Sequence, residues 1–243
     1  MRISRLFTES RLTPGCEAEL EERACRYIRQ VLRLRAGQSI TLFNGDGVDY
    51  AGELLGTDRR TCRIRVGEPI RQEPTAILRI HLGIGVSRGE RMDYAIQKSV
   101  ELGVYAITPL STERAVVQLQ AGRLEKRLAH WRGVIVSACE QCGRNRIPTL
   151  HDMQPLRDWV AGYPGGLMLH HQAEHGLSDI AQPTAELNLL VGPEGGLSKL
   201  ERATATDHAY QAVRLGPRVL RTETAPLAAL AAIQVLWGDF ATR

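Results

Sequence analysis

The spacing of apolar residues changes its period along the chain. Leu20, Ala24, Tyr27, Ile28, Val31 and Leu32 recur at steps of about three and four, which predicts a short amphipathic helix over 20–32. Three runs with strand character follow, over 38–43, 48–55 and 61–66, the first two joined by the turn Asn44-Gly45-Asp46-Gly47. In the third run Cys62, Ile64 and Val66 alternate with Arg63 and Arg65, so one face is apolar and the other basic, with Arg59 and Arg60 just ahead of it. That face reads either as a nucleic-acid contact or as an ordinary solvated strand face.

After the polar join Arg71-Gln72-Glu73-Pro74 the pattern becomes strand, helix, strand, helix, and a domain boundary is placed there. Strands are expected over 77–84, 104–110, 167–170, 188–191 and 211–215. Ser87-Arg88-Gly89-Glu90 reads as a capping box opening a helix that ends at Gly103, and Ser198-Lys199-Leu200-Glu201 as a second one. Leu124, Leu128, Trp131, Ile135, Ala138 and Cys142 lie on one face of a long helix, with Cys142 closing the core stripe, and a last helix covers about 223–240. The expectation is a small β-rich domain followed by an α/β domain with a largely parallel sheet, unknotted by the general rules of chain topology.

Composition narrows this picture modestly. With 243 residues, 43% of them hydrophobic and 24% charged, the chain has enough apolar material for one large or two modest domains, which excludes a disordered, collagen-like or disulfide-stapled protein. The net charge of +4 hides a basic set of 28 Arg and 3 Lys. Arg suits phosphate and base edges, although codon bias gives the same skew. The first 70 residues hold 12 Arg against 10 acids, so no part is a simple basic tail. Neither a signal peptide nor a membrane span is expected, and five cysteines, an odd number, suit a reducing cytoplasm. Cys139 and Cys142 form a lone CxxC without finger-like spacing to His130 or His151, so no metal site is expected.

Three glycine-containing motifs carry candidate chemistry. Gly83-Ile84-Gly85-Val86-Ser87-Arg88-Gly89 imitates a dinucleotide fingerprint, but its third glycine comes one place late and no acid follows where ribose recognition requires it; it supports an NAD-dependent oxidoreductase as a rival reading. Gly192-Pro193-Glu194-Gly195-Gly196 places three glycines in five residues between a strand and a capped helix, which lets a ligand approach backbone. Leu215-Gly216-Pro217-Arg218-Val219-Leu220-Arg221-Thr222-Glu223-Thr224 crowds polar groups at a helix start, where free backbone donors already gather; plain capping by Thr222 is the alternative. Two such loops at one edge of a parallel sheet converge on one crevice.

Together with Ser87-Arg88-Gly89-Glu90-Arg91-Met92, Gln97-Lys98-Ser99-Val100-Glu101-Leu102-Gly103 and Cys139-Glu140-Gln141-Cys142-Gly143-Arg144-Asn145-Arg146, the last two motifs resemble the ribosomal RNA small-subunit methyltransferase E family. The resemblance implies a PUA-like β-barrel over 1–70 and a SPOUT α/β domain with a trefoil knot over 74–243. It further implies S-adenosylmethionine as cofactor, a homodimer, and methylation of N3 of a decoding-centre uridine in 16S rRNA, with the 30S subunit as partner. Carried onto this chain, the cofactor loops are Leu169-His170-His171, Gly192 to Gly196, and Leu215 to Thr222, naming Leu169, His170, Gly192, Pro193, Glu194, Gly195, Gly196, Leu215, Gly216, Leu220, Arg221 and Thr222.

Methylating N3 requires loss of its proton, so a base and a stabiliser of the uracil anion are needed. Arg221 is the candidate stabiliser, with local pairing to Glu223 as its bland alternative, and Glu194 or Glu223 the candidate base. The RNA-contact candidates are Arg2, Arg5, Arg59, Arg60, Arg63, Arg65, Arg88, Arg144 and Arg146. A non-catalytic RNA-binding protein is the remaining rival, one that leaves the two glycine-containing loops unexplained.

Overall fold

The computed structural model describes residues 4–58, 61–115 and 121–240. The chain forms two units, Met1–Thr75 with Val136–Ile147, and Ala76–Ile135 with Pro148–Arg243. In the first, β1 (Arg5–Phe7), β2 (Glu17–Leu20), β3 (Ser39–Phe43), β4 (Val48–Thr57) and β5 (Cys62–Gln72) make a sheet in the order β1-β3-β4-β5-β2. The β1–β3 pair is parallel and the others are antiparallel. Pairing between β4 and β5 slips near Asp49, Tyr50 and Leu54, and such bulges increase local twist. Leu6, Ile28, Ile40, Leu42, Leu54 and Ile64 fill the core beneath.

The helix expected over 20–32 is divided. α1 (Glu22–Arg26) is α-helical, but Tyr27–Leu32 widens into a π turn that ends at Arg33, whose backbone is left-handed at φ 51 and whose N–H donates to the Ile28 carbonyl. The longer turn rotates Val31 off the stripe that keeps Ala24, Cys25 and Ile28 inside, leaving it 62% exposed. The strand expected over 61–66 runs on to Gln72 because β4 is ten residues long and pairs Val48 with Gln72, so the polar join is partly strand. β1 and β2, three and four residues long, are too short to show as alternation.

Asp49, 3% exposed, anchors this unit's polar interior. It accepts from Arg5 Nη2 at 2.7 Å and Arg71 Nε at 2.8 Å. Arg5 also donates to the carbonyls of Cys139 at 2.8 Å and Arg144 at 3.2 Å, and its guanidinium lies 4.5 Å from the Phe43 ring centroid. Glu73 accepts from the backbone N–H groups of Asn145 and Arg146. Alternation in β5 is as expected, with Arg63 and Arg65 outward, but Glu19 faces Arg63 across the β2–β5 pair and Glu17 faces Arg65, while Glu53 on β4 also faces Arg65. The outer face of the sheet is charge-compensated.

The second unit holds β6 (Arg79–Gly85), α2 (Glu90–Glu101), β7 (Ala106–Ser111), β8 (Thr149–Leu150), β9 (Gln154–Pro155), α4 (Leu156–Gly162), β10 (Gly166–Leu169), β11 (Glu186–Val191), α5 (Lys199–Asp207), β12 (Tyr210–Val213) and α6 (Ala225–Trp237). α3 (Ala121–Cys142) passes from this unit into the first at Val136. The sheet order is β12-β10-β11-β6-β7-β8 with every pair parallel, as the strand–helix alternation suggested, and β9 adds to β7. Leu110, Leu156, Trp159, Val160, Met168 and Leu190 pack in its core. Two-residue β8 and β9 leave no periodic signal.

Helix starts divide the expectations. Ser198 Oγ accepts from Glu201 N at 3.1 Å while Glu201 Oε2 accepts from Ser198 N at 2.7 Å, a reciprocal cap. At α2 the capping-box reading fails, because Gly89 at φ 55 precedes the helix and no side chain caps it. In α3, Trp131, Ile135 and Ala138 are buried as read, but Cys139 is the enclosed cysteine, its thiol pushed up to about 12 by burial, and Cys142 is half-buried. Among the described residues no helix is long and apolar enough to cross a membrane.

His81 on β6 is the buried titratable group with the clearest consequence. Thr108 Oγ1 lies 2.7 Å from its Nε2 and Trp159 Nε1 donates to the same nitrogen at 3.4 Å, contacts that suit a neutral ring. Burial, and then His151 beside it, pull its pKa down to about 4. Above pH 6.5 the ring is neutral folded or unfolded; between 6.5 and 4 the unfolded chain takes a proton that the folded chain refuses, so stability falls with pH. Urea titrations at pH 7, 6, 5 and 4.5 are expected to show a progressive loss of at most about 3 kcal/mol from this group, and His81→Asn to flatten the slope.

Candidate active site

β10, β11 and β12 end at the same edge of the sheet, and the loops leaving them meet there. Gly85, at the end of β6, has no Cβ, and one placed there would lie 2.6 Å from Pro193 N and Cδ. The loop after β11 therefore rests directly on the β6 backbone. Gly196 N donates to Pro193 O at 2.8 Å with Gly196 at φ 65, closing the turn. Gly195 lies against Arg114, whose Cβ would be 2.9 Å from an added Cβ.

Thr222 ties the second loop to the first. Its hydroxyl donates to the Gly192 carbonyl at 3.2 Å and lies 3.2 Å from Ser87 Oγ, with both hydroxyl residues buried. Thr222 is not a helix cap; α6 begins after Thr224, with no side-chain cap and Pro226 in its first turn. Ser87 is likewise used here and not as a cap.

These loops enclose a cavity of about 490 Å³. Of the residues named from sequence, Leu169, His170, His171, Gly192, Pro193, Glu194, Gly195, Gly196, Leu215, Leu220, Arg221, Thr222 and Glu223 line it. Gly216, at φ 75, turns the loop without lining the cavity. Sequence reading missed Arg91 on α2, Arg114 after β7, and Arg202 on α5, which reach the same wall from distant segments.

The polar groups are unevenly satisfied. Glu194 Oε1 accepts from Arg88 N at 3.1 Å and lies 3.5 Å from Arg91 Nη1, whereas its Oε2 and Glu223 Oε2 are buried with no hydrogen-bond partner among the described residues. An unpaired buried carboxylate oxygen is costly, so neither atom is there for the sake of stability. Arg221 is exposed, and among the described residues no ion pair or hydrogen bond engages its guanidinium, so it does not pair with Glu223. Arg202 donates to Leu197 O at 2.6 Å. Burial, then Arg202 and His171, lower the pKa of His170, keeping it neutral near pH 7.

The remaining sequence-predicted positions scatter. Gly83 and Gly85 are strand residues packed tightly, Gly83 under the Trp159 ring, whose nearest carbon would be 2.6 Å from a Cβ. Gly89 precedes α2. The imitation of a dinucleotide fingerprint is thus a packing pattern, and the oxidoreductase reading loses its basis. Arg88 is exposed; Arg63 and Arg65 are exposed but 3.7 Å from Glu17 and 3.5 Å from Glu53. Arg144 lies 3.6 Å from Glu73, Arg146 covers Gly47, and Arg5, 15% exposed, is occupied internally. Arg2, Arg59 and Arg60 lie outside the described residues.

Residues 73–234 match a family described as an RNA methyltransferase domain, and residues 20–67 one described as an RNA methyltransferase PUA domain. The ribosomal RNA small subunit methyltransferase E of Buchnera aphidicola subsp. Schizaphis graminum is 33% identical over 241 residues, covering 98% of each chain. That of Bacillus subtilis is 29% identical, covering 88% of this chain and 89% of the relative. The crystal structure of a protein of the same name from Neisseria gonorrhoeae, bound to S-adenosylmethionine, has a TM-score of 0.94 at 38% identity, covering 98% of this chain and all of that one.

Gly83→Ala tests the packing role. It is expected to lower stability by about 2 kcal/mol in urea unfolding, since the Trp159 ring has no room to give. An unchanged midpoint would return Gly83 to the pool of binding residues.

Proposed function

Because this chain belongs to the ribosomal RNA small subunit methyltransferase E family, and is an RNA methyltransferase, we propose that it transfers a methyl group from S-adenosylmethionine to N3 of a decoding-centre uridine of 16S rRNA, on the assembled small subunit in the cytoplasm. The observation that carries this reading is the cavity between the 192–196 and 215–222 loops, tied by Thr222. Its size is that of a small-molecule site, and the open space beside Gly196 suits close approach of a ligand, while Gly192 and Gly195 are pressed against Leu197 and Arg114. Leu169, His170, Leu215, Leu220 and Thr222 with the Gly192–Gly196 loop would hold the cofactor. When bound, it supplies an electrophilic methyl group on a sulfonium.

In this reading Arg221, which no other described side chain engages, stabilises negative charge on the uracil oxygens. Glu194 or Glu223 accepts the N3 proton at Oε2, which bonds no described residue. Residues 1–70 act as the PUA-like RNA-binding domain and 74–243 as the SPOUT domain. In this reading the loops after β11 and β12 belong to a trefoil knot. α6, with Val235 and Leu236 exposed on an otherwise apolar helix, supports a homodimer.

Radiolabelled methyl transfer to 30S subunits, followed by mapping of the modified base, is expected to yield N3-methyluridine at a single site; no incorporation would overturn the proposal. Arg221→Ala is expected to lower kcat about a hundredfold while S-adenosylmethionine affinity by calorimetry stays within about twofold. Wild-type turnover in that variant removes Arg221 from the chemistry. Light scattering at micromolar concentration is expected to give the mass of two chains, and a monomer would count against the dimer.

A further inference from the structure

The arginines that alternation singled out are not the most available ones in the first unit. On the outer face of its sheet, Arg63 and Arg65 sit among Glu17, Glu19 and Glu53, so two positive charges meet three negative ones. The segment Glu22 to Arg35 is the opposite case, with five arginines and one glutamate in fourteen residues. The core explains why they all face out. Ala24, Cys25 and Ile28 occupy the inner stripe, which leaves Arg23, Arg26, Arg29, Arg33 and Arg35 exposed.

These five are not equivalent. Arg23 is held by Glu140 at 3.0 Å and by the Phe7 carbonyl. Arg26 meets Glu22 at 2.9 Å, so like Arg63 and Arg65 it already faces a carboxylate in solvent. Arg33 and Arg35 have no ion pair among the described residues. Just ahead of them in the chain, an open groove of about 460 Å³ is lined by Glu22, Arg23, Arg26, Tyr27, Gln30 and Val31. Val31 is there because the π turn rotates it outward. Positive charge next to an aromatic and an apolar surface is the combination that takes up a sugar–phosphate backbone with an unstacked base.

We propose that the outer face of Glu22 to Arg35 is the surface with which this unit grips ribosomal RNA, Arg33 and Arg35 meeting phosphates and the groove at Tyr27 and Val31 receiving an unpaired base. This deepens the proposed function by moving the RNA contact from the sheet face to the helix face. The sheet face, already neutralised, releases few counterions on contact and contributes little.

The test compares two double variants of the full chain, Arg33→Gln with Arg35→Gln, and Arg63→Gln with Arg65→Gln. Binding to purified small ribosomal subunits is measured from 50 to 300 mM KCl, with S-adenosylmethionine binding and thermal unfolding as controls on the site and the fold. The helix-face pair is expected to lose about tenfold in affinity at 100 mM KCl and to lower the slope of log K against log salt by between about one and two. The sheet-face pair is expected to stay within about twofold. Equal losses, a loss in the sheet-face pair alone, or an unchanged slope in the helix-face pair would each overturn the inference while methyl transfer by the wild-type chain still upholds the proposed function. A wild-type chain that neither binds the subunits nor transfers methyl groups overturns both.

Discussion

The hydroxyl of Thr222 is the small contact on which the site depends. It joins the Gly192 carbonyl and Ser87, so the ends of β6 and β11 and the loop after β12 become one wall. That wall can close because Gly85 has no side chain and Pro193 can lie on it. A methyl group at Gly85 would push the loop out along the sheet edge. The cavity is therefore a property of how tightly three strand ends approach, and its chemical residues are carried into place by that approach.

A residue's partners decide what its charge means. Arg5, Arg63 and Arg221 are the same side chain in three conditions. One is fixed by Asp49 and two carbonyls, one is balanced across a strand by glutamates, and one stands at a cavity wall with no side-chain partner among the described residues. Glu194 is similarly divided between its two oxygens, one held by the Arg88 N–H and the other unpaired among the described residues. A mild overall charge of +4 conveys none of this.

What sequence could show was whatever is local. The two glycine-bearing loops and the reciprocal cap at Ser198 follow from neighbours a few residues apart, and the parallel character of the second sheet from the alternation of strand and helix, although its strand order does not. The rest required contacts across long stretches of chain. Arg91, Arg114 and Arg202 reach the cavity because their elements end at one sheet edge, Gly83 is glycine because Trp159 covers it, and Thr222 leaves its capping role for a carbonyl thirty residues away. The π turn at Tyr27–Leu32 escaped for another reason: a period of 3.6 was assumed where the backbone adopts a wider one.

The first unit is discontinuous in sequence, and this bears on how the chain is made. Arg5 and Asp49 emerge early from the ribosome, but two of the carbonyls that Arg5 bonds belong to Cys139 and Arg144, and the N–H groups that Glu73 accepts belong to Asn145 and Arg146. Until Ile147 has been synthesised these polar groups lack their mates. Synthesis from the amino end thus leaves the first unit waiting on a segment delivered from the middle of the chain, and its completion becomes a late event in the birth of the protein.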